Sequence, residues 1–258
     1  MNTAEASYYQ GRRVWIIGAS TGIGRALAIE LASCGASVVA SARNEKALLE
    51  LASKFDGAAH GGIRPLRLDI AQEGELSAAI QGMVETDSLP DIAIFMAGYY
   101  QPLSIHKINS DDLRQTLEVN LWAAMEFVRL ITPPLYARRS GQIVLVGSVA
   151  GYRGLPKGQP YSATKAALIN LAETLYLEAM PEGVDVKLLS PGFVETPLTD
   201  KNDFEMPDII STEEAASTIA QGLQEKAFEV HFPKRFTRKL KFLRILPYRL
   251  YFKLLRKL

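Results

Sequence analysis

The chain has 258 residues, of which 48% are hydrophobic and 22% charged, values typical of a soluble globular protein with one large α/β domain or two small domains. Its single cysteine, Cys34, excludes an internal disulfide and favours a reducing compartment, with the thiol packed as a small apolar side chain. The net charge of +1 conceals an asymmetry: residues 231–258 hold ten Lys or Arg and no Asp or Glu, so the remainder is acidic and poorly suited to nucleic acid.

The first residues and the hydropathy pattern give expectations about the compartment. The N-terminal stretch lacks the basic and apolar regions of a secretory signal peptide. No window approaches the roughly 18 uncharged apolar residues that a membrane-spanning helix needs. We therefore expect a cytoplasmic protein that is attached to a membrane at most peripherally, at its inner face.

Short apolar, β-branched runs alternate along the chain with longer helical patterns. The strand-like runs are residues 14–17, 37–41, 65–68, 92–96, 143–147, 184–190 and 228–231, and the helical segments lie near 23–33, 44–54, 72–85, 110–138, 161–180 and 212–225. Nearly continuous hydrophobic strands separated by helices predict a parallel sheet covered on both faces. Right-handed crossovers favour a doubly wound, Rossmann-like three-layer α/β sandwich of about seven strands. We predict a catalytic domain over residues 1–233 and a basic amphipathic tail over 234–258.

The first predicted strand ends in a glycine-rich turn, and an amphipathic helix follows it. The turn reads Gly18-Ala19-Ser20-Thr21-Gly22-Ile23-Gly24, with the spacing Gly-x-x-x-Gly-x-Gly. Glycines let a backbone turn sharply and approach a diphosphate, and the N–H groups and positive dipole end of the helix then face the phosphates. A tight strand–helix connection is the structural alternative. We predict that a dinucleotide binds at Gly18, Ser20, Thr21, Gly22, Ile23 and Gly24.

The ends of the next two strands predict how the adenosine part binds. Strand two ends in Ser41-Ala42-Arg43, without the acidic residue that NAD-specific folds use to bind the ribose 2′-hydroxyl. Arg43 can pair with a 2′-phosphate through its planar guanidinium, or it is a solvated arginine at a helix start. Strand three ends in Asp69-Ile70, where the carboxylate accepts a bond from the adenine amino group or caps the next helix. NADP(H) is therefore the favoured cofactor, with NAD as the alternative.

Four polar side chains form the predicted catalytic centre. Tyr161 and Lys165 are four residues apart in a helical segment, so they share one face, and the ammonium can favour the phenolate of a group with an unperturbed pKa of about 10. Such a pair serves as a general acid and base, although Tyr-x-x-x-Lys alone is more often a surface pair. Ser148, at the end of the fifth strand, can bind and orient a substrate oxygen. Asn120 lies midway through a predicted helix, which is unfavourable unless its amide holds a water or polarises the backbone beside Lys165.

In combination these motifs resemble the short-chain dehydrogenase/reductase family, over residues 12 to about 231. The resemblance implies hydride transfer between a nicotinamide cofactor and a carbonyl or alcohol, with Tyr161 as the catalytic acid and base. It implies that Lys165 modifies the pKa of the tyrosine and binds the ribose, that Ser148 orients the substrate, and that Asn120 supports a proton relay. It also implies a nicotinamide-side loop that contains Pro191, Gly192, Val194 and Thr196, followed by a variable substrate lid over about 197–211.

The sequence departs from the family pattern at the end of the fourth strand. The family has Asn-Asn-Ala-Gly there, whereas this chain reads Phe95-Met96-Ala97-Gly98. Ala97 and Gly98 still let a cofactor approach the backbone. Phe95 and Met96 replace two amides and are expected to pack in the core.

Other functions fit the sequence less well. The alternative to an enzyme is a non-catalytic dinucleotide-binding redox sensor or scaffold, but such proteins tend to lose the tyrosine. A sugar-nucleotide epimerase has a differently spaced glycine turn, and an enoyl reductase separates Tyr and Lys more widely. Ser148 is not in a Gly-x-Ser-x-Gly elbow, because Val146 and Ala150 occupy the glycine positions. Three scattered histidines predict no metal site: His60, His106 and His231.

The C-terminal tail carries a separate pattern. From Phe236 onward, leucines recur at helical spacing among aromatics, with Lys or Arg at the other positions, and Pro247 is expected to break the run into two short helices. A basic amphipathic helix over 236–258 can lie in an anionic membrane interface. Alternatively, its apolar face packs on the protein's own body or on a partner subunit.

A few sequence features predict the class of substrate and the oligomeric state. An apolar pocket favours a hydrophobic ketone, alcohol or lipid as the small-molecule substrate over a sugar. The family resemblance implies a homodimer or homotetramer, formed through the helices near 110–138 and 161–180. The side chains expected to line the pocket are Tyr99, Tyr100, Tyr152, Leu155, Phe193, Leu198 and Met206.

Overall fold

The computed structural model describes residues 8–55 and 61–256, and its centre is a sheet of seven parallel strands. The strands are β1 (Arg13–Ile17), β2 (Ser37–Ala42), β3 (Gly62–Arg67), β4 (Ile92–Phe95), β5 (Gln142–Val146), β6 (Asp185–Pro191) and β7 (Glu229–Phe232). Their spatial order is β3-β2-β1-β4-β5-β6-β7, so the direction of winding reverses between β1 and β4. Ligands of such sheets bind beyond the carboxyl ends of the strands, at this reversal. The predicted doubly wound fold is confirmed.

Helices cover both faces of the sheet. They are α1 (Gly22–Ser33), α2 (Glu45–Ala52), α3 (Glu75–Glu85), α4 (Ser110–Leu117), α5 (Ala123–Arg138), α6 (Tyr161–Ala179), α7 (Thr212–Gly222), α8 (Lys234–Ile245) and α9 (Tyr248–Leu255). Successive residues of β1 point to opposite faces, because the side chains of a strand alternate. Val14 and Ile16 therefore pack in the apolar cluster under α1, α2 and α7, and Trp15 and Ile17 pack in the cluster under α3, α5 and α6.

The long helix predicted over 110–138 is interrupted. Residues Glu118–Trp122 form a π-helical turn between α4 and α5. Such turns insert an extra residue into a helix and are frequent at functional sites. Asn120 lies in this turn. The hydrophobic period does not reveal the interruption, because a helical pattern continues on both sides of it.

Other boundaries differ from prediction by a few residues. β3 begins at Gly62 and not at residue 65, because the Gly62 N–H donates to the carbonyl of Ala36 and so extends the pairing with β2. The helix predicted from residue 72 begins at Glu75, since Gly74 before it has a φ of +84°, a left-handed conformation outside the helical range.

The tail packs on the body of the protein, which is one of the alternatives that the sequence left open. α8 follows β7 directly and contacts it, and the break expected at Pro247 separates α8 from α9. Thr237 and Tyr251 are buried against the body. Across the described part of the chain, no helix combines the length and the apolar character needed to span a membrane.

The junction of β1 and β4 leads to a stability prediction. At Gly18 the φ is +100°, and a Cβ atom there would lie 2.7 Å from the backbone nitrogen of Ala97. We expect Gly18→Ala to lower the free energy of unfolding by about 2–4 kcal/mol, because both the left-handed backbone and the contact oppose a side chain. Urea unfolding followed by circular dichroism measures the change.

Gly82→Ala is the matched control for this substitution. Nothing lies within 4 Å of a Cβ atom at Gly82 in α3, so alanine there should leave stability unchanged or raise it slightly. If Gly18→Ala and Gly82→Ala unfold at the same urea concentration, the contact does not constrain the fold.

Candidate active site

Two loops converge on the glycine turn after β1. The Gly18 backbone contacts Ala97 in the loop after β4, as described above. Gly22 has a φ of +55°, and a Cβ atom on it would lie 3.2 Å from Cγ2 of Thr196 in the loop after β6. A Cβ atom on Gly24 would lie 2.2 Å from the carbonyl oxygen of Gly18, so the turn itself closes only with glycine at this position. The predicted glycine turn thus meets two of the predicted cofactor loops.

The N-terminus of α1 is suited to an anion. Within the described residues, the Thr21 side chain makes no capping hydrogen bond, and the first turn of the helix holds no acidic residue. The free N–H groups and the positive end of the helix dipole are therefore uncompensated. Ser20 and Thr21 add hydroxyl groups to the same turn, while half-buried Ile23 packs against the core cluster below it. A dinucleotide diphosphate fits this turn, because the backbone is open and the helix end favours negative charge.

The residues predicted for the adenosine part lie at the ends of β2 and β3. Arg43 is exposed directly before Asn44, and Asn44 caps α2 through its side chain, so the helix start does not depend on the arginine. The Asp69 carboxylate accepts a hydrogen bond from the Ala71 N–H at 3.1 Å. It therefore stabilises the turn after β3 and not the start of α3, which the sequence had offered as one alternative. Ile70 is half-buried against the core.

Three predicted catalytic side chains meet at the carboxyl end of β5. Tyr161 is the first residue of α6, and Lys165 lies one turn later, with Nζ 5.5 Å from the centre of the Tyr161 ring. Lys165 Nζ donates to the carbonyl of Val146, the last residue of β5, at 2.8 Å. Ser148 Oγ accepts from the Ala150 N–H at 3.1 Å, and the Ser148 hydroxyl lies close enough to Tyr161 to lower the pKa of the phenol.

The end of β4 lies against the same group. A Cβ atom on Gly98 would lie 3.7 Å from Asn120 Oδ1 and 4.0 Å from Lys165 Nζ. The buried amide of Asn120 accepts from the Tyr99 N–H at 2.6 Å and donates to the Tyr99 carbonyl at 2.8 Å. It also donates to Thr164 Oγ1 at 3.3 Å. Asn120 therefore ties the loop after β4 to α6 next to Lys165, which accounts for an asparagine inside a helical segment.

Burial decides the protonation state of the Tyr–Lys pair. Burial raises the pKa of Tyr161 to about 12, against a smaller opposite effect of the hydrogen bond to Ser148. Burial also lowers the pKa of Lys165 to about 8. The sequence predicts that the ammonium favours the phenolate, but desolvation outweighs this effect, because both charged forms lose hydration in the same enclosed site. At neutral pH the site holds a neutral phenol.

A loop and the predicted lid cover Tyr161. The Tyr100 ring packs edge-on against the Tyr161 ring, with 4.9 Å between ring centres, and the Tyr100 hydroxyl donates to Asn202 Oδ1 at 2.8 Å. An ion pair of 3.0 Å between Lys157 and Asp203 joins the loop before α6 to the lid. Sequence reasoning missed Asn202, Lys157 and Asp203, since partners in irregular loops leave no periodic signal.

The loop after β6 forms the opposite wall. Pro191 is buried at the end of the strand, and the N–H of Gly192 donates to the end of β7. Val194 is buried and forms a β-bridge with Ile210, which ties the two ends of the lid together. Thr196 lies beside the glycine turn. The four residues predicted for the nicotinamide side thus occupy one continuous wall.

Aromatic side chains pack around the loop after β6. The Phe193 ring lies 5.9 Å from the Phe204 ring of the lid and 5.1 Å from the Phe236 ring of α8. Tyr152, which was expected to line the pocket, is buried beside the tail, and its hydroxyl donates to the Glu229 carboxylate. The tail, through Phe236, therefore contributes to this wall, which the sequence did not predict.

Sequence comparison relates this site to known proteins. The chain matches a family model described as short chain dehydrogenase over residues 12–206. An uncharacterized oxidoreductase of Myxococcus xanthus is 30% identical over 246 residues, which cover 95% of each chain. A 3-oxoacyl-(acyl-carrier-protein) reductase of Thermotoga maritima is 28% identical over 74% of this chain and 78% of its own length.

Solved structures share the fold. A short chain dehydrogenase of Burkholderia cenocepacia in complex with NADP superimposes with a TM-score of 0.81 over 96% of this chain and 98% of its own, at 23% identity. A short-chain dehydrogenase of Sphingobium yanoikuyae in complex with NADPH has a TM-score of 0.79 over 88% of this chain and 91% of its own, at 24% identity.

The buried ammonium of Lys165 leads to a stability prediction. Folding lowers the pKa of Lys165 from 10.5 to about 8. Below pH 8 the lysine is charged in the folded protein, and burying this charge lowers the free energy of unfolding. The effect disappears above pH 10.5, where the lysine is neutral in both the folded and the unfolded protein. We expect Lys165→Met to raise the free energy of unfolding by about 1–2 kcal/mol at pH 7 and by less at pH 10. This value already subtracts the stability lost with the hydrogen bond to Val146. Urea unfolding at both pH values measures the difference.

Lys187→Met is the control. Lys187 is equally buried but forms an ion pair of 3.3 Å with Asp185 and donates to two backbone carbonyls, so its removal should lower stability. A Lys165→Met protein that is less stable than the parent at pH 7 would refute the desolvation argument.

Proposed function

The chain belongs to the short-chain dehydrogenase/reductase family, and we propose that it interconverts a carbonyl and a secondary alcohol by hydride transfer, with NADP(H) as its cofactor. One observation carries the proposal. The side chains of Tyr161, Lys165 and Ser148 gather at the carboxyl end of β5, and the loop after β4 links them to the glycine turn.

Tyr161 acts as the acid in the direction of carbonyl reduction. The cofactor supplies the hydride, and Tyr161 donates its hydroxyl proton to the substrate oxygen as that oxygen becomes an alkoxide. A pKa of about 12 keeps the phenol protonated at neutral pH, so the resting site is ready for this step. In the direction of alcohol oxidation the same oxygen accepts the proton, which requires that the high pKa of the phenol fall when substrate and cofactor bind.

The neighbouring side chains support this proton transfer. Ser148, whose hydroxyl neighbours Tyr161, holds the substrate oxygen beside the phenol. With a pKa of about 8, Lys165 is mostly protonated at pH 7, and its ammonium compensates the negative charge that remains on Tyr161 after donation. Asn120 is a positioning residue, because its amide fixes the loop after β4 against α6.

The proposed cofactor spans the carboxyl edge of the sheet. The glycine turn and the N-terminus of α1 hold the diphosphate. Exposed Arg43 pairs with the 2′-phosphate, which favours NADP(H) over NAD. Asp69 and Ile70 lie on the adenine side, and Ala97, Gly98 and the loop after β6 on the nicotinamide side. Structural relatives in complex with NADP and NADPH support the choice.

We propose that the substrate is apolar. The Tyr100 ring packs on the Tyr161 ring, and the loop after β6 carries the aromatic group that Phe193 forms with Phe204 and Phe236. Such walls favour a hydrophobic ketone or alcohol over a sugar, since hydroxyl groups would lose hydration against them. The relatives named as 3-oxoacyl reductases support a carbonyl substrate and the direction of reduction.

We also propose a cytoplasmic homodimer or homotetramer. Large apolar side chains are exposed on the helices that the sequence assigned to the subunit interface, and a partner subunit would cover them. These side chains are Leu113 and Leu117 in α4, Trp122 and Met125 at the start of α5, and Leu177 and Met180 at the end of α6.

Tyr161→Phe tests the function. It removes only the hydroxyl, so we expect kcat for NADPH-dependent reduction across a panel of aliphatic and aromatic ketones to fall by about 10²–10⁴-fold, with little change in the Kd of NADPH. Tyr176→Phe, in the same helix but away from the end of β5, is the control and should keep full activity. A parent protein that binds NADPH but reduces none of the ketones would instead favour the redox sensor.

Arg43→Ala tests the cofactor. Loss of the guanidinium should weaken NADPH binding about ten-fold or more and leave NADH binding unchanged, because only NADPH carries the 2′-phosphate. Fluorescence titration of both nucleotides measures the two Kd values. Lys46→Ala removes a nearby exposed charge in α2 and should change neither. Equal weakening of both nucleotides by Arg43→Ala would contradict recognition of the phosphate.

A further inference from the structure

The C-terminal helices present a surface that the proposed reaction does not use. We propose that α8 and α9 dock the protein onto a membrane surface that contains anionic lipids. The docking surface consists of the exposed apolar side chains of residues 242–254 and the exposed Lys and Arg residues of α8 and α9.

The tail is held firmly on the body. The Tyr251 ring is buried, and its hydroxyl donates to the carbonyl of Gly154. The Arg153 guanidinium lies 4.3 Å from the centre of the Tyr251 ring and donates to the carbonyls of Leu243 at 3.0 Å and Leu246 at 2.5 Å. One arginine of the body therefore joins the end of α8 to α9. The docking surface is already ordered, so little conformational entropy is lost when it binds.

The apolar side of α9 is much wider than its contact with the body. With about 3.6 residues per turn, Tyr248 and Phe252 lie on one side of buried Tyr251, and Leu250 and Leu254 lie on the other. All four are about half exposed or more, and Tyr248 is 70% exposed. The apolar side therefore covers more than half of the helix circumference, whereas its contacts with the body involve buried Tyr251 and the edge formed by Tyr248, whose ring centre lies 4.7 Å from the Arg153 guanidinium. This width is typical of a helix that lies in a membrane interface.

Basic side chains complete the same surface. On α8, Phe242 is 59% exposed and lies four residues after Arg238 and three after Lys239. At this spacing the ring and the two charges share one exposed face of the helix. The same face continues to Ile245, which is 76% exposed. On α9 the remaining arc is filled by Arg249, Lys253 and Arg256, which are all exposed.

No acidic residue occurs from position 231 to the end of the chain, so these cations lack neighbours of opposite sign along the tail. An anionic bilayer satisfies both parts of the surface at once. Aromatic and leucine side chains enter the boundary between headgroups and acyl chains, while Lys and Arg extend to the lipid phosphates.

A second copy of the chain fits less well, although its acidic body would attract the tail. The cores of protein interfaces are depleted in lysine, and here Arg238 and Lys239 share the exposed face of α8 with Phe242, while Arg249 and Lys253 flank the apolar side of α9. The bilayer is therefore the occupant that the composition favours.

Vesicle flotation of the full-length protein tests the proposal. We expect binding to vesicles of phosphatidylcholine mixed with phosphatidylglycerol, weak binding to phosphatidylcholine alone, and partial release by high salt. The double substitution Arg249→Glu/Lys253→Glu should reduce the partition coefficient by about ten-fold or more. Tyr248→Ser/Phe252→Ser should abolish the binding that persists at high salt.

Matched controls carry the same changes elsewhere. Lys46→Glu/Lys54→Glu reverses two exposed charges near α2, and Leu49→Ser/Val84→Ser removes two exposed apolar side chains of α2 and α3; both proteins should bind like the parent. Circular dichroism verifies that every variant is folded. Because the readout is binding, the result stands whether or not the protein reduces a ketone.

Two outcomes would overturn the proposal. The first is binding that does not distinguish the two lipid mixtures, or that falls equally in the control variants. The second is that the protein does not bind vesicles, while its molar mass, measured by light scattering, decreases when Tyr248 and Phe252 are replaced. That result would assign the surface to contact between copies of the chain.

Discussion

The backbones that leave β1 and β4 approach each other so closely that the position of Gly18 has no room for a side chain. This contact lies where the winding of the sheet reverses, and it fixes the glycine turn relative to the residues around Lys165. On one side the glycine turn leads into the N-terminus of α1. On the other side Gly98 lies against Asn120 and Lys165. The same backbone contact therefore sets the distance between the cofactor site and the acid–base pair.

The polar side chains of the site lose their hydration when the chain folds. Lys165 and Asn120 are buried, yet each polar group has a defined partner: a strand carbonyl for the ammonium, and the backbone of Tyr99 together with Thr164 for the amide. Lys187 is also buried, but a carboxylate lies beside it. A lysine that has only a neutral partner keeps a depressed pKa, and that property is useful next to a phenol that must change its charge.

Much of this arrangement is predictable from the sequence because its signals are local. Alternating strands and helices specify the sheet, and the glycine spacing and the Tyr161–Lys165 pair mark its functional edge. Three features have no local signal. The π-helical turn at Asn120 keeps the hydrophobic period of its flanking helices, the ion pair of Lys157 with Asp203 joins irregular loops, and the dominance of burial over the Tyr–Lys attraction depends on enclosure by several elements at once. Sequence identifies the groups; only packing determines their environment.

One short stretch, residues 148–154, has two attachments. At its start Ser148 adjoins Tyr161, and at its end Arg153 and Gly154 hold the tail. Between them Tyr152 is fixed by Glu229, which also pairs with Lys241 of α8. A shortened chain that stops before α8 would lose these contacts with the tail, so the segment that carries Ser148 would be held less rigidly. Diminished turnover in such a chain would therefore not by itself assign the tail a part in the chemistry.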